Sequence, residues 1–266
     1  RLQGKAMHRP PIDLNNARIL VTNDDGVDAP GLEVLEDIAR TFTSDVWTVA
    51  PETEQSGAGH SLTLTQPLRL REISEKRFAL DGSPTDCVLF AVSRIMDGRR
   101  PDIVLSGVNR GANVGDDITY SGTVAAAMEA AILGLPSIAL SQQREGDHPV
   151  CWDAAVHHGA RIVECLAGLS WPSDVFMNVN FPNRKPDDVS GTRVVAQGRQ
   201  DAGYDIRERT DPRNNSYFWI GPAVRNGIHD GDTDYQALDR GEISITPLHM
   251  DLTHRDALED IKGAFS

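Results

Sequence analysis

The sequence predicts an α/β protein: a mostly parallel sheet with helices on both faces, forming three layers, with an extension of the same domain toward the C terminus. Three observations predict it. Short apolar, β-branched runs alternate with segments of helical period between residues 18 and 182. Those runs are apolar throughout, as in strands buried on both faces. Beyond Gly198 the composition turns polar and turn-rich, with an aromatic patch in "NSYFWIG".

"RILVT" (18–22) reads as a buried strand. In "GLEVLEDIARTF", Leu32, Leu35, Ile38, Ala39 and Phe42 share one helical face. "DVWTVAP" (45–51) is the next strand, and "PLRLREI" and "RFALDG" form a two-stranded excursion. Pro84-Thr85-Asp86 opens an apolar helix, "CVLFAVSRIM", with Thr85 as its expected cap. "DIVLSG" (102–107) is a strand, and "GTVAAAMEAAILG" a helix stopped by Gly134 and Pro136. "SIALS" (137–141), the helix "WDAAVHHGARIVECLAG" and "VFMNVNFP" continue the alternation. "EISITPL" reads as a late strand, before a short terminal helix. The expected organisation is a leader (1–16), read as disordered or foreign to the native chain, a main domain (17–199), and an extension (200–266) that returns to it.

At 266 residues the chain can bury a sizeable core. Acids outnumber bases by 39 to 26, a formal charge of −13, which argues against broad nucleic-acid binding. Cys87, Cys151 and Cys165 are scattered and odd in number, so no disulfide framework or CxxC pair is expected. A reducing cytoplasm is the simplest reading. No apolar run approaches a membrane span, and the start lacks a signal-peptide core and an initiating Met.

In an open parallel sheet, ligands bind beyond the carboxyl ends of the strands. Three such ends carry unusual polar residues: Asn23-Asp24-Asp25; "VAPETEQSGAGHS" with Ser56; and "VLSGVNRGANVGDD" with Ser106, Asn109 and Asn113. Carboxylate, hydroxyl and amide oxygens are hard-cation donors, suited to Mg²⁺, Mn²⁺ or Ca²⁺. His60 is the one His or Cys in these loops, which disfavours zinc. A divalent ion would convert the repulsion of two adjacent acids into attraction. Alone, "DDG" reads more readily as a turn cap beside a solvated acid; its place at a strand end and the two other polar loops reverse that preference. Gly107, Gly111 and Gly115 allow close backbone approach, although the pattern is not GxGxxG. Ser121 and Thr123 begin a helix whose free N–H groups suit an anion, with plain capping as the alternative. His157 and His158 lack ligand spacing. Asp251 between His249 and His254 suits either acid–base work or a structural hairpin.

"ILVTNDDGVDAPG", "VAPETEQSGAGHSLTL", "GSPTDCV", "PDIVLSGVNRGANVGDDITYSGTVAAAMEA" and "ISITPLHMDLT" together resemble the SurE family, the survival-protein-E 5′/3′-nucleotidases, over roughly residues 18–254. The resemblance implies a Rossmann-like catalytic domain and an acid-phosphatase-like 5′-nucleotidase, metal-dependent, acting on nucleoside monophosphates and in some members on short polyphosphate. It implies one Mg²⁺ or Mn²⁺ per subunit on Asp24, Asp25, Ser56 and Asn109. It places Asn23, with the two aspartates, at the catalytic centre, and Ser106, Gly107, Asn113, Ser121 and Thr123 at the phosphate. The hairpin within 200–250 would exchange between protomers, giving a homodimer or homotetramer. Here the motif after "TPLH" reads "DLTHR" where members often have "DLTAH", which displaces the late histidine to His254. The reaction expected is attack of water on a phosphate monoester, with Ser106, Asn113 and loop N–H groups steadying the phosphoryl oxygens. Two other classes remain open: a phosphatase with an aspartyl nucleophile, whose usual D-x-D pair is not matched by adjacent Asp24 and Asp25, and a nucleotide-binding module without catalysis.

Overall fold

The computed structural model describes residues 9–96, 98–146, 148–199, 201–226 and 231–265. Strands β1 (Ile19–Thr22), β2 (Val46–Pro51), β3 (Leu70–Ser74), β4 (Arg77–Leu80), β5 (Ile103–Arg110), β6 (Ser137–Gln142), β7 (Val175–Phe181) and β8 (Gly191–Val194) belong to one sheet with a later strand. β9 (Asp201–Thr210) and β10 (Ser216–Asn226) form a separate antiparallel hairpin, and β11 (Glu242–His249) is the later strand. The nine-stranded order is β3-β4-β2-β1-β5-β6-β7-β11-β8. The span from β4 to β7 is parallel, while β3 and β11 run antiparallel to β4 and β7.

The helices are α1 (Pro30–Arg40), α2 (Pro84–Phe90), α3 (Gly122–Ile132), α4 (Asp153–Ala167), α5 (Asp234–Asp239) and α6 (Arg255–Phe265). Strand alternation divides the core. Ile19, Val21, Ile103 and Leu105 pack under α1 and α4 with Leu32, Leu35, Ile162 and Val163. Leu20, Val49, Leu80 and Val104 face the opposite way, against Cys87 and Val88 of α2 and Ala126 and Ala130 of α3. α3 is buried almost all round, and its alanines let it lie close to the sheet. The crossovers β5–α3–β6 and β6–α4–β7 step in the same direction but pass over opposite faces, so their hands differ. The second is the one that departs from the right-handed rule.

The structure corrects several expectations. Ser83, not Thr85, caps α2: its hydroxyl accepts from Asp86 N at 3.1 Å and Asp86 accepts from Ser83 N at 2.9 Å, a reciprocal capping box. Thr85 lies inside the first turn with its hydroxyl buried and unpartnered. The expected single helix there widens into a π-helical turn at Ala91–Ile95. β8 and α5 are additional elements, too short and polar for periodicity to reveal. Part of the leader is packed, not outside the fold: Arg9 N donates to Trp171 O at 2.9 Å, Ile12 N to Ala167 O at 2.8 Å, and Leu14 is buried. Residues 1–8 of the leader, and residues 200 and 227–230 of the expected arm, lie outside the described residues. No helix among the described residues is long and apolar enough to cross a membrane.

Candidate active site

The winding of the sheet reverses between β1 and β5, with α1 on one face and α2 and α3 on the other. Ligand sites in such sheets form at this crevice, beyond the strand ends. The alternation of β1 carries past its end into the acidic pair. Asp24 turns toward α3, where the Thr123 hydroxyl donates to its carboxylate. Asp25 turns toward α1 and accepts from Arg110 N at 3.0 Å. The two neighbouring charges therefore diverge across the sheet.

Asp24 is 4% exposed. Burial pushes its carboxyl up to about 6, the Thr123 hydrogen bond opposes that rise, and Asp25 adds to it. Burial also raises Asp25, against the Arg110 N–H and guanidinium. α3 approaches Asp24 closely because its first residue is glycine: a Cβ on Gly122 would lie 2.8 Å from Asp24 Cβ.

A cavity of about 540 Å³ opens here, and Asp24, Ser56, Asn109, Asn113 and Ser121 all line it. Arg110 and Arg144 bring positive charge to the same wall, and Tyr235 and Leu238 of α5 close one side. Ser56 donates to Glu54 Oε1 at 2.8 Å, and Arg110 Nη2 donates to the same oxygen at 2.9 Å. Asn109 Nδ2 donates to Gly111 O at 2.9 Å, which leaves its amide oxygen as an acceptor. Ser121 caps α3 by accepting from Val124 N at 3.1 Å, so the capping reading holds while the residue also faces the cavity.

The remaining expected residues stand behind the wall. Asn23 donates to Gly26 O at 2.9 Å, and its Oδ1 is buried without a partner. Ser106 is buried in β5 with an unpartnered hydroxyl. Gly107 has φ 136°, and a Cβ there would run into the Leu140 carbonyl, so packing against β6 requires glycine. Thr123 supports Asp24 and is absent from the cavity lining. Asp25 lines a second cavity on the α1 side, with Arg110 common to both. His157 and His158 meet edge to face away from the site, and His249 and Asp251 are joined by a local turn contact.

Sequence reasoning missed the support of Asn113. Asn113 N donates to Asn180 Oδ1 at 2.7 Å, its Nδ2 donates to Ser141 at 2.8 Å, and its carbonyl accepts from Asn178 and Asn180 at 2.8 and 3.0 Å. Two asparagines at period two inside the apolar strand "FMNVNF" were a usable signal. Arg144 carried no such signal, because only the fold brings its loop to the site. Buried Asp234 accepts from Gly115 N at 2.8 Å and Gly198 N at 2.9 Å, and Tyr235 donates to Val114 O at 2.9 Å. The C-terminal segment thus clamps the loop that carries Asn109 and Asn113.

The donor set fits a hard divalent cation: the Asp24 carboxylate, Ser56 hydroxyl and Asn109 amide oxygen share one cavity, while Asp25 lines the neighbouring one, with Arg110 common to both. Among the described residues no group of three His, Cys, Asp or Glu side chains gathers, so such an ion would depend on hydroxyl and amide oxygens as well as carboxylates.

Fold and site define a doubly wound α/β protein with an oxygen-rich, partly cationic cavity at its switch point. Within that class the chain belongs to the Survival protein SurE family, whose model matches residues 19–203. It is 52% identical to the 5′-nucleotidase SurE of Paramagnetospirillum magneticum, covering 96% of this chain and 99% of that protein. It is 50% identical to the 5′-nucleotidase SurE of Rhodospirillum rubrum, covering 97% and 100%. The crystal structure of the SurE protein from Aquifex aeolicus superposes with TM-score 0.81 at 38% identity, covering 93% of this chain and 99% of that one.

Proposed function

We propose that this chain is a nucleotidase that hydrolyses nucleoside monophosphates to nucleoside and phosphate, dependent on one Mg²⁺ or Mn²⁺ held by Asp24, Asp25, Ser56 and Asn109. The observation that carries this is the cavity where a buried carboxylate and neutral oxygen donors face two arginines and the start of α3. The bound ion supplies charge neutralisation at a phosphoryl oxygen and a lowered pKa for water. Arg110 and Arg144 attract the dianionic monoester and orient it in the cavity. The N–H groups at the start of α3 favour negative charge on the transferring phosphoryl group. Asn113, held through Ser141, Asn178 and Asn180, presents a fixed polar wall. Asp24 keeps one oxygen on Thr123, would be held ionised by the bound cation, and is the natural acceptor for the proton of the attacking water. Water attacks phosphorus as the ester P–O bond breaks, and the proton taken up by Asp24 is returned to the departing oxygen, which leaves as the nucleoside hydroxyl. Ser106, Gly107 and Thr123 act from behind, setting the shape of β5 and of Asp24.

Short polyphosphate presents a similar anionic terminal phosphate and belongs to the same substrate class. The family's sequence relatives named 5′-nucleotidase SurE support the substrate. We place the protein in the cytoplasm, in keeping with three unpaired cysteines, and as a homodimer or homotetramer joined through β9 and β10. Phosphate release from AMP and cyclic AMP, each with chelator, Mg²⁺ or Mn²⁺, tests the reading. Metal-dependent release from AMP alone is expected. Full activity in chelator, or equal rates on the diester, would overturn it.

A further inference from the structure

The second cavity, about 380 Å³, opens on the α1 side of the sheet and shares Arg110 with the first. Its character differs. Ala29, Pro30, Val150 and Trp152 make an apolar wall, and Asp25, Glu54 and Arg110 form its ionisable edge. The larger cavity is instead walled by Asp24, Ser56, Asn109, Asn113 and Arg144. A nucleoside monophosphate has a matching division: a dianionic phosphate at one end and a flat base at the other, whose π faces suit an apolar wall and whose polar edges suit an ionisable rim.

Resting on the nucleotidase reading, we infer that the Trp152 cavity is the nucleobase subsite, with the base stacked on the indole and the phosphate on the far side of Arg110. Trp152 is built to be a fixed wall. It immediately precedes α4, and its carbonyl accepts from Val156 N at 2.9 Å. Its indole packs against the core beneath α1 and α4. The first turn of α1 admits it because residue 31 is glycine: a Cβ there would sit 2.9 Å from Trp152 Cη2 and would also collide with the Val108 carbonyl. A rigid aromatic at a pocket wall binds a base with little ordering cost, and every base offers a π face to it. Asp25 ties the two halves together, since it lines this cavity while its carboxylate accepts the backbone N–H of Arg110.

AMP and ribose 5-phosphate carry the same phosphate and sugar and differ in the base, so their kcat/KM ratio reads the subsite. Trp152→Ala should lower that ratio by about tenfold, as loss of one base–aromatic stack does, with the change in KM for AMP, and Trp152→Phe should restore most of it. Val150→Gln, at a partly exposed wall position, should lower it in the same sense and serves if Trp152→Ala does not fold. Loss of activity on both substrates in equal proportion would make Trp152 merely structural and overturn the inference. So would an unchanged ratio in Trp152→Ala with a lowered one in Tyr120→Ala, since Tyr120 lines the larger cavity and that result would put the base there. A wild-type enzyme equally active on both substrates would remove the base subsite while leaving the phosphomonoesterase standing. Inactivity on both would remove the nucleotidase reading itself.

Discussion

Asp24 concentrates the energetics of the site in one side chain. Its carboxyl rises from 3.8 to about 6 because it is buried beside Asp25. Each pKa unit corresponds to 1.36 kcal/mol, so ionised Asp24 costs the metal-free fold about 3 kcal/mol. The folded pKa lies above the unfolded one. The favourable balance is therefore complete below about pH 4 and is lost as pH rises through about 6. Asp24→Asn should flatten metal-free stability across that window and be at least as stable as the parent at pH 7, which melts in chelator will measure. Mn²⁺ at a hundredfold excess over Kd should stabilise the parent by about 2.7 kcal/mol. The variant should lose most of that gain, and its turnover should fall on the order of a hundredfold. A destabilised Asp24→Asn with normal turnover would return Asp24 to the role of a turn cap. Thr123→Val removes the donor to this carboxylate while keeping its volume. It should cost about 1–3 kcal/mol and move the acidic limb of the rate profile to higher pH, since the hydrogen bond opposes the rise of Asp24. An unmoved limb would show that Thr123 does not control Asp24.

The loop between β2 and β3 carries Ser56, and neighbouring elements hold it. Thr63 N and its hydroxyl both donate to Asp86, at 3.0 and 2.6 Å, and Ser83 donates to Ser61 O at 2.7 Å. Gly59 N donates to Tyr120 O at 3.1 Å, and His60 lies 3.0 Å from Glu129. The cap of α2 therefore also anchors a proposed ligand-bearing loop. Ser83→Ala should destabilise by about 1 kcal/mol for the lost cap and raise the Mn²⁺ concentration needed for half activity. Thr85→Val, which removes an unpartnered buried hydroxyl, should be neutral or stabilising. Paired melts of the two variants decide which residue caps the helix. The α2 start was legible as a Ser-Pro-Thr-Asp punctuation, but the choice between Ser83 and Thr85 was not, because both residue types cap well. Asp45 makes a similar point at the edge of β2. Burial pushes its carboxyl up, yet hydrogen bonds from Lys76, Arg18 and Trp47 outweigh that and bring it to about 2. A lowered folded pKa stabilises above the unfolded value and fails as pH falls through about 2. Asp45→Asn should therefore weaken the fold at neutral pH, by no more than about 1 kcal/mol given solvent screening, and leave the difference small in strong acid.

At the scale of the molecule, the hairpin of β9 and β10 stands apart from the main sheet. Ile206, Phe218 and Ile220 are 65%, 62% and 74% exposed on one face, and Trp219 is 65% exposed on the other. A lone two-stranded hairpin is marginal in water, and so large an apolar surface is what the proposed exchange of arms would cover. Light scattering should give at least a dimer mass. Phe218→Glu with Ile220→Glu should shift the population toward monomer, and a wild-type monomer with full activity would remove the proposed exchange of arms. The formal charge of −13 leaves phosphate attraction to local arginines, so rates on AMP should fall with added salt as Arg110 and Arg144 are screened.

By itself the sequence determined the alternation of strands and helices and the oxygen-donor loops at strand ends, because each is written in local periodicity or composition. It also carried the family, through motifs that lie in order along the chain. Only the tertiary structure decided which cavity each residue faces. Asp24 and Asp25 are adjacent in sequence, but the pleat of β1 sends them to opposite faces of the sheet. Ser106 and Gly107 sit within their motif, yet β6 packs against them and withdraws them from the wall. Arg144, Asn180 and Tyr235 reach the site from distant segments through sheet order and the return of the C-terminal chain. Those are non-local contacts, set by which strands pair and which helices cover them, and no window of sequence encodes them.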